Sequence, residues 1–338
     1  MNNNHIVSIV IPVKNGMPHM SETLGSVNKQ TYKFIEIIVV DDGSTDDTVS
    51  FIKLNYPNVF LIQNTSGNHG APVCRNIGTN HAMGEFIIFL DADDLLHPDC
   101  VQQRVSAFTD NMNLDFIVFQ CELFKNTVGD LGVYWNYFSD ENDLDRFIRV
   151  DTPWHTSSPI WKKQSIIKIN GWDESAISWQ DWEFHIRAIA YGLNYIKVPI
   201  VNSYYRKFVE GSISSLDNTI ERKLYFALLY KKIIGYLRDY RCDTLMRQNY
   251  LLGMFFKLAY LCIIENTVTD SIYILKVAVR SGLLDSKRFY ISFFSIFAYA
   301  KYNNRLTRKL AWLSLPEMYF YSASSRSFLQ CSETLVEK

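Results

Sequence analysis

Residues 85–99 read Glu85-Phe86-Ile87-Ile88-Phe89-Leu90-Asp91-Ala92-Asp93-Asp94-Leu95-Leu96-His97-Pro98-Asp99, an apolar strand running straight into three carboxylates. Near-continuous apolar runs of this kind are strands buried on both faces. Ligands of open α/β sheets sit just beyond the carboxyl ends of such strands, so Asp91, Asp93 and Asp94 stand where chemistry is expected. Three like charges at one strand end repel one another unless a cation neutralises them, and Mg2+ or Mn2+ accept hard carboxylate ligands. The competing reading is an acidic loop in which Asp94 or Asp99 caps the next helix.

Outward from that segment, short apolar runs alternate with helical patterns, which is the sequence form of a βαβ sheet. Strands are expected over 6–13, 34–40, 59–63, 85–90, 114–121 and 195–203. Helices are expected over 19–29, 45–54, 71–82, 98–109, 164–169 and 181–191. Residues 122–160 form an aromatic, Asp-rich stretch with one short helix over 143–150. Beyond about residue 218 every pattern is helical, so an α/β domain is expected over 1–218 and a helical region over 219–338.

The 338 residues, 48% hydrophobic and 20% charged, are globular material for one large domain or two smaller ones. A formal net charge of -1 gives no support for a nucleic-acid partner. The start lacks the basic region of a signal peptide, which leads to the expectation of a cytoplasmic protein. Six scattered cysteines without a C-x-x-C pair argue against a disulfide framework and a structural zinc site. The apolar C-terminal runs fall short of the roughly 18 residues of a membrane span, because Lys231, Lys232, Lys257, Lys276 and Arg280 interrupt them.

Other strand ends carry their own chemistry. The second strand runs into Asp41-Asp42-Gly43-Ser44-Thr45-Asp46, where Ser44 or Thr45 can cap the next helix. One cap suffices, so Asp41 and Asp42 call for further partners such as a nucleobase N–H or ribose hydroxyls. The first strand ends Ile11-Pro12-Val13-Lys14-Asn15-Gly16, which is neither G-x-G-x-x-G nor a Walker loop and so counts against a dehydrogenase or kinase. Residues 67–78 place Arg75 on the first turns of a helix and Asn68 in the loop before it; Arg75 suits either a counter-ion for Asp41 or Asp42 or a diphosphate contact.

In that order, the segments around Pro12, around Asp41 and Asp42, the run Cys74-Arg75-Asn76-Ile77-Gly78, and Phe89-Leu90-Asp91-Ala92-Asp93-Asp94 resemble family 2 glycosyltransferases over residues 6 to about 215. The resemblance implies a GT-A fold, a Rossmann-like mixed sheet flanked by helices, here followed by an all-helical C-terminal region. It divides the first domain into a donor half, 1–121, and an acceptor half, 122–218. It implies a nucleotide-diphospho-sugar donor, with UDP the expected nucleotide, held by Pro12, Val13, Asn15, Asp41, Asp42, Asn68, Arg75, Asp91, Ala92 and Arg206. Pro12 and Asp42 would hold the base, Asp91 the ribose and Arg206 the diphosphate, while Asp93 would bind Mn2+ or Mg2+.

The family's Glu-Asp pair below the sugar is matched by Gln180-Asp181, with Gln180 in place of Glu. Asp181 is then the candidate base of an inverting transfer; its alternative is the cap of the helix it opens. Gln180 and Trp172 are acceptor-side candidates, although Trp172 also suits a buried turn. His155 and His185, lone histidines in aromatic surroundings, read as structural. The acceptor implied is a glycan or lipid-linked oligosaccharide of a surface polysaccharide. Rival functions are a sugar-phosphate nucleotidyltransferase, whose Gly-rich basic loop is missing after the first strand, and a non-catalytic sugar-nucleotide or glycan-binding module. The C-terminal helices can serve as a packed subdomain, a peripheral membrane contact through Arg305, Arg308, Lys309 and Trp312, or a homo-oligomer interface.

Overall fold

A computed structural model describes residues 5–207, 219–302, 304–315 and 336–337. The chain forms two compact units, one from residues 1–140, 152–212 and 333–338 and the other from 141–151 and 213–332. Residues 141–151, expected in the α/β domain, thus belong with the C-terminal helices.

In chain order the first unit contains β1 (Val7–Val13), α1 (Met20–Asn28), β2 (Ile35–Asp41), α2 (Thr48–Asn55), β3 (Phe60–Gln63), α3 (Ala71–His81), β4 (Phe86–Phe89), β5 (Leu95–Leu96), α4 (Cys100–Thr109), β6 (Phe116–Phe124) and β7 (Val133–Tyr134). After α5 (Asp143–Ile148), which lies in the second unit, it continues with β8 (Pro159–Lys162), α6 (Lys163–Lys168), α7 (Gln180–Tyr191) and β9 (Tyr195–Arg206). Strands order as β7-β6-β8-β4-β1-β2-β3, with β9 parallel to β6 and antiparallel to β5. The sheet β4-β1-β2-β3 is parallel, and β8 runs antiparallel between β4 and β6.

Every residue of β1 is buried, as expected for a central parallel strand covered on both faces. The winding reverses at β1, whose successors β2 and β3 lie on one side and β4 on the other, so the crevice of the fold opens there. Hydrogen bonds from Phe86 N to Ile6 O and from Leu90 N to Val10 O show that even-numbered β1 residues face β4. Pairing with β4 stops at Val10, so Pro12, which has no N–H, faces the side β4 has already left.

The strand β8 was not legible in the sequence, because four residues with no alternation are indistinguishable from a loop. Its side chains feed an aromatic block in which Phe116 stacks on Trp161 at 4.1 Å and Phe184 stacks on Trp172 at 4.1 Å.

The second unit is built on α8 (Ile220–Asp239), α9 (Leu245–Ile264), α10 (Val268–Arg280), α11 (Ser286–Tyr302) and α12 (Arg305–Ser314). Side chains of Thr219 and Thr244 cap α8 and α9 by accepting the N–H of Arg222 and Arg247. Arg247 also donates to Asp145 at 2.5 Å, which fastens α5 into this unit. Among the described residues no helix is long and apolar enough to cross a membrane. All five described cysteines are free thiols.

Candidate active site

The helix α3 holds the site together through three consecutive features. At Gly78 an added Cβ would lie 2.3 Å from Val10 Cγ1, so only glycine lets the helix press against β1. Two residues earlier, Asn76 donates to Trp172 O and Glu174 Oε1, both at 2.9 Å, and accepts the N–H of Trp172 at 2.8 Å. It thereby docks the turn ahead of α7. One residue before that, Arg75 reaches Asp91 Oδ1 with Nη2 at 2.6 Å and Gln180 Oε1 with Nη1 at 3.1 Å. Arg75 is therefore a partner of Asp91, not of Asp41 or Asp42.

Asp91, Asp94 and His155 gather at the carboxyl end of β4, with one potential ligand atom from each lying within 4.8 Å of the others. His155 Nε2 is 3.8 Å from Asp91 and Nδ1 is 3.6 Å from Asp94. Asp94 is wholly buried and accepts the Arg206 N–H at 3.0 Å and the Ser157 hydroxyl at 3.1 Å. It caps no helix: α4 begins after Asp99, whose side chain makes no capping bond either. Asp93, expected as the metal ligand, is not one of the three; its carbonyl oxygen accepts from Arg206 Nε at 2.9 Å.

The electrostatics of this cluster show a shortage of positive charge. Burial, then the Asp93 and Asp91 charges, push Asp94 well above the carboxylate range. Burial and Asp91 push the Asp93 carboxyl up to about 6. Asp91 is held low against its burial by Arg75 and His155. Burial lowers His155 against the pull of Asp91 and Asp181, leaving a neutral imidazole. Two carboxylates, a neutral imidazole and an unmet need for positive charge fit a hard divalent cation such as Mn2+ or Mg2+. No spacing signal could have joined His155 to residues some sixty positions earlier.

Arg206, expected on a diphosphate, is 5% exposed and already engaged. Besides Asp93 O it donates to Glu22 Oε2 at 2.9 Å and stacks on Phe124 at 4.4 Å. Trp172 is 2% exposed, with Phe184 on its ring and the Arg75 guanidinium 4.4 Å from its centroid. It is a buried turn aromatic with no face for an acceptor sugar. In α7 the residue in the N-cap position is Trp179, in a left-handed conformation, so Asp181 lies inside the first turn and does not cap the helix. Asp181 Oδ1 accepts its neighbour's Trp182 N–H at 2.9 Å. Gln180, beside it, is half-buried.

At the end of β2, Asp41 is buried and closes the turn by accepting the Ser44 N–H. Asp42 accepts from Asn64 Nδ2 at 2.7 Å and Gly70 N at 2.8 Å, and lies 3.0 Å from His69 Nδ1. Against its burial, these bonds hold Asp42 below the usual carboxylate range. Asn64 and His69 carried no motif and were not singled out in the sequence. Asn15, at φ 54°, accepts the Thr45 N–H at 2.7 Å and so joins the loops after β1 and β2. Val13 O accepts the Asp42 N–H at 2.8 Å, and Ala92 O accepts the Thr23 hydroxyl at 2.9 Å. Asn68 is exposed, and its carbonyl accepts from Asn64 at 2.7 Å.

The mixed sheet flanked by helices has the GT-A fold. Residues 1–349 of S. aureus TarS in complex with UDP-GlcNAc superpose with a TM-score of 0.66 at 19% identity, over 95% of this chain and 91% of that one. A mannosyltransferase from Pyrobaculum calidifontis, PcManGT, in complex with GDP-Man and Mn2+, gives 0.50 at 16% identity, over 95% and 87%. Residues 8–162 match the family model of glycosyl transferase family 2. An uncharacterized glycosyltransferase of Escherichia coli, YibD, is 35% identical over 124 residues, 36% of this chain and 35% of that protein. The chain thus spans about a third of the length of that curated relative.

Proposed function

We propose that the chain transfers a sugar from a nucleotide-diphospho-sugar, UDP-linked by preference, to a hydroxyl of a glycan or lipid-linked acceptor, with inversion, in surface polysaccharide synthesis. The observation that carries this reading is the bridge of Arg75 between Asp91, in the carboxylate cluster, and Gln180, beside Asp181. Asp181 takes the proton of the acceptor hydroxyl while its oxygen attacks the anomeric carbon, and the bond from that carbon to the diphosphate breaks on the opposite face. Since Oδ1 holds the Trp182 N–H, Oδ2 is the proton's destination. The base sits against Pro12 near Asp42, and Asp91 receives the ribose. A Mn2+ or Mg2+ held by Asp91, Asp94 and His155, with Asp93 beside them, would supply positive charge to the departing diphosphate.

The exposed stripe of α11 supports a peripheral contact with anionic lipid. Tyr290, Ile291 and Phe294 are 62%, 47% and 64% exposed and lie at helical spacing on one side of the helix, with Lys287 and Lys301 toward its ends. Apolar side chains rimmed by lysine complement an anionic headgroup layer.

The function is tested with purified protein, Mn2+ and a panel of UDP- and GDP-sugars, reading nucleotide release and product configuration. Asp181→Asn is expected to bind donor as before and to lose transfer. Transfer that survives this change would remove Asp181 as the base, and a panel with neither binding nor turnover would remove the enzyme reading.

A further inference from the structure

We infer that Arg75 is a strut that sets the distance between the carboxylate cluster and the first turn of α7, and that Gln180 is the positioning residue at its far end. Arg75 is 4% exposed and its two terminal nitrogens are committed, one to Asp91 and one to Gln180. The remaining Nε–H has no acceptor among the described residues and is buried. The guanidinium lies 4.4 Å from the Trp172 ring centroid, which with its two bonds fixes its plane between Asp91 and Gln180.

The orientation of Gln180 follows from chemistry alone. Arginine only donates, so the amide atom facing it must be the oxygen. A rigid, planar, two-toothed donor spans the gap between Asp91 and Gln180; a lysine, with one nitrogen, cannot hold both ends in the same way. The carboxylate partner and the amide partner together leave the strut electrically neutral, and no second acidic side chain stands immediately before Asp181. Asp181 follows Gln180 directly in the first turn of α7, so what fixes Gln180 fixes Asp181.

The strut stands on the geometry, while its consequence for turnover rests on the reading of Asp181 as the base; the test keeps the two apart. The variants are Gln180→Met, which keeps length without an acceptor, and Gln180→Glu, which keeps an acceptor. Hydrogen exchange is read at the Glu183 and Phe184 amides, the first to be bonded within α7, with α4 amides as the internal standard. Gln180→Met is expected to speed exchange at α7 by about tenfold, the loss of one charge-assisted hydrogen bond, and Gln180→Glu to restore slow exchange. With UDP-GlcNAc and Mn2+ as the probe, kcat for nucleotide release should fall in Gln180→Met with donor KM unchanged, and recover in Gln180→Glu. Unchanged exchange in Gln180→Met overturns the strut, as does a rise in donor KM at constant kcat, which would make Gln180 a donor contact. A wild-type protein that turns over no donor overturns the proposed function instead, and the exchange measurement then still decides the strut.

Discussion

Val10 and Gly78 lie so close that a methyl group on Gly78 would overlap the Val10 side chain at 2.3 Å. Neither neighbour can give way easily, since Val10 is fully buried in the central strand and α3 is fixed by Arg75 and Asn76. Gly78→Ala is therefore expected to destabilise the protein by about 1–3 kcal/mol, the usual cost of overpacking. Urea unfolding should show a lower midpoint at unchanged slope. A midpoint equal to wild type would mean that α3 shifts freely on the sheet.

Divalent cation binding should depend on the three clustered side chains. A ligand that binds only the folded state stabilises it by mass action, about 2.7 kcal/mol at a hundredfold excess over Kd. Mn2+ is expected to raise the melting temperature of wild type, and Asp91→Asn or His155→Ala to abolish most of the rise. If Asp93→Asn abolishes it while His155→Ala does not, the ion belongs to Asp93 and not to the cluster.

Acid should weaken the fold through His185. Its ring lies parallel to Trp161 with centroids 6.0 Å apart, and burial, with smaller contributions from His155 and Arg75, holds it well below the ordinary imidazole value. The unfolded chain takes up this proton near pH 6.5 and the folded chain only at lower pH. The stability contributed by the neutral ring is thus complete above about pH 6.5 and declines as pH falls below it. His185→Phe, which keeps a ring against Trp161, should flatten the dependence of unfolding free energy on pH between about 6.5 and 5. An unchanged slope would assign the acid sensitivity to other groups.

The α11 stripe gives a further measurable outcome. Cosedimentation with anionic vesicles is expected for wild type and should drop for Phe294→Ser combined with Tyr290→Ser, while neutral vesicles should sediment little of either. A concentration-dependent dimer lost in the same double variant, with no vesicle binding, would assign the stripe to a second copy of the chain.

The parallel strands and the acidic strand end were legible because buried strands and D-x-D clusters are local patterns. What stayed hidden depends on distance in sequence. His155 meets Asp91 and Asp94 only because β8 inserts between β4 and β6, and β8 has too few residues to signal itself. In sequence Arg75 suits a counter-ion for Asp41 or Asp42 or a diphosphate contact; of the acidic residues it takes Asp91, since the helix turns it toward Asp91 and Gln180. Asp181 offered both a cap and a base; Trp179 occupies the cap position in a conformation rare for a bulky residue, which no local pattern would foretell. Trp172 has the composition of a sugar platform and the burial of a core residue.

The way Asn76 holds the turn ahead of α7 bears on which residues that turn requires. Its bonds to Trp172 use a main-chain carbonyl and a main-chain N–H, groups that every residue except proline provides. Gly171, at φ 64°, has its α-carbon where a side chain would collide with Asn76 Oδ1 at 2.6 Å. Asn76 thus reads a glycine, two backbone atoms and the carboxylate of Glu174. The turn ahead of α7 is gripped chiefly through main-chain groups, which a change of side chain at position 172 would leave in place.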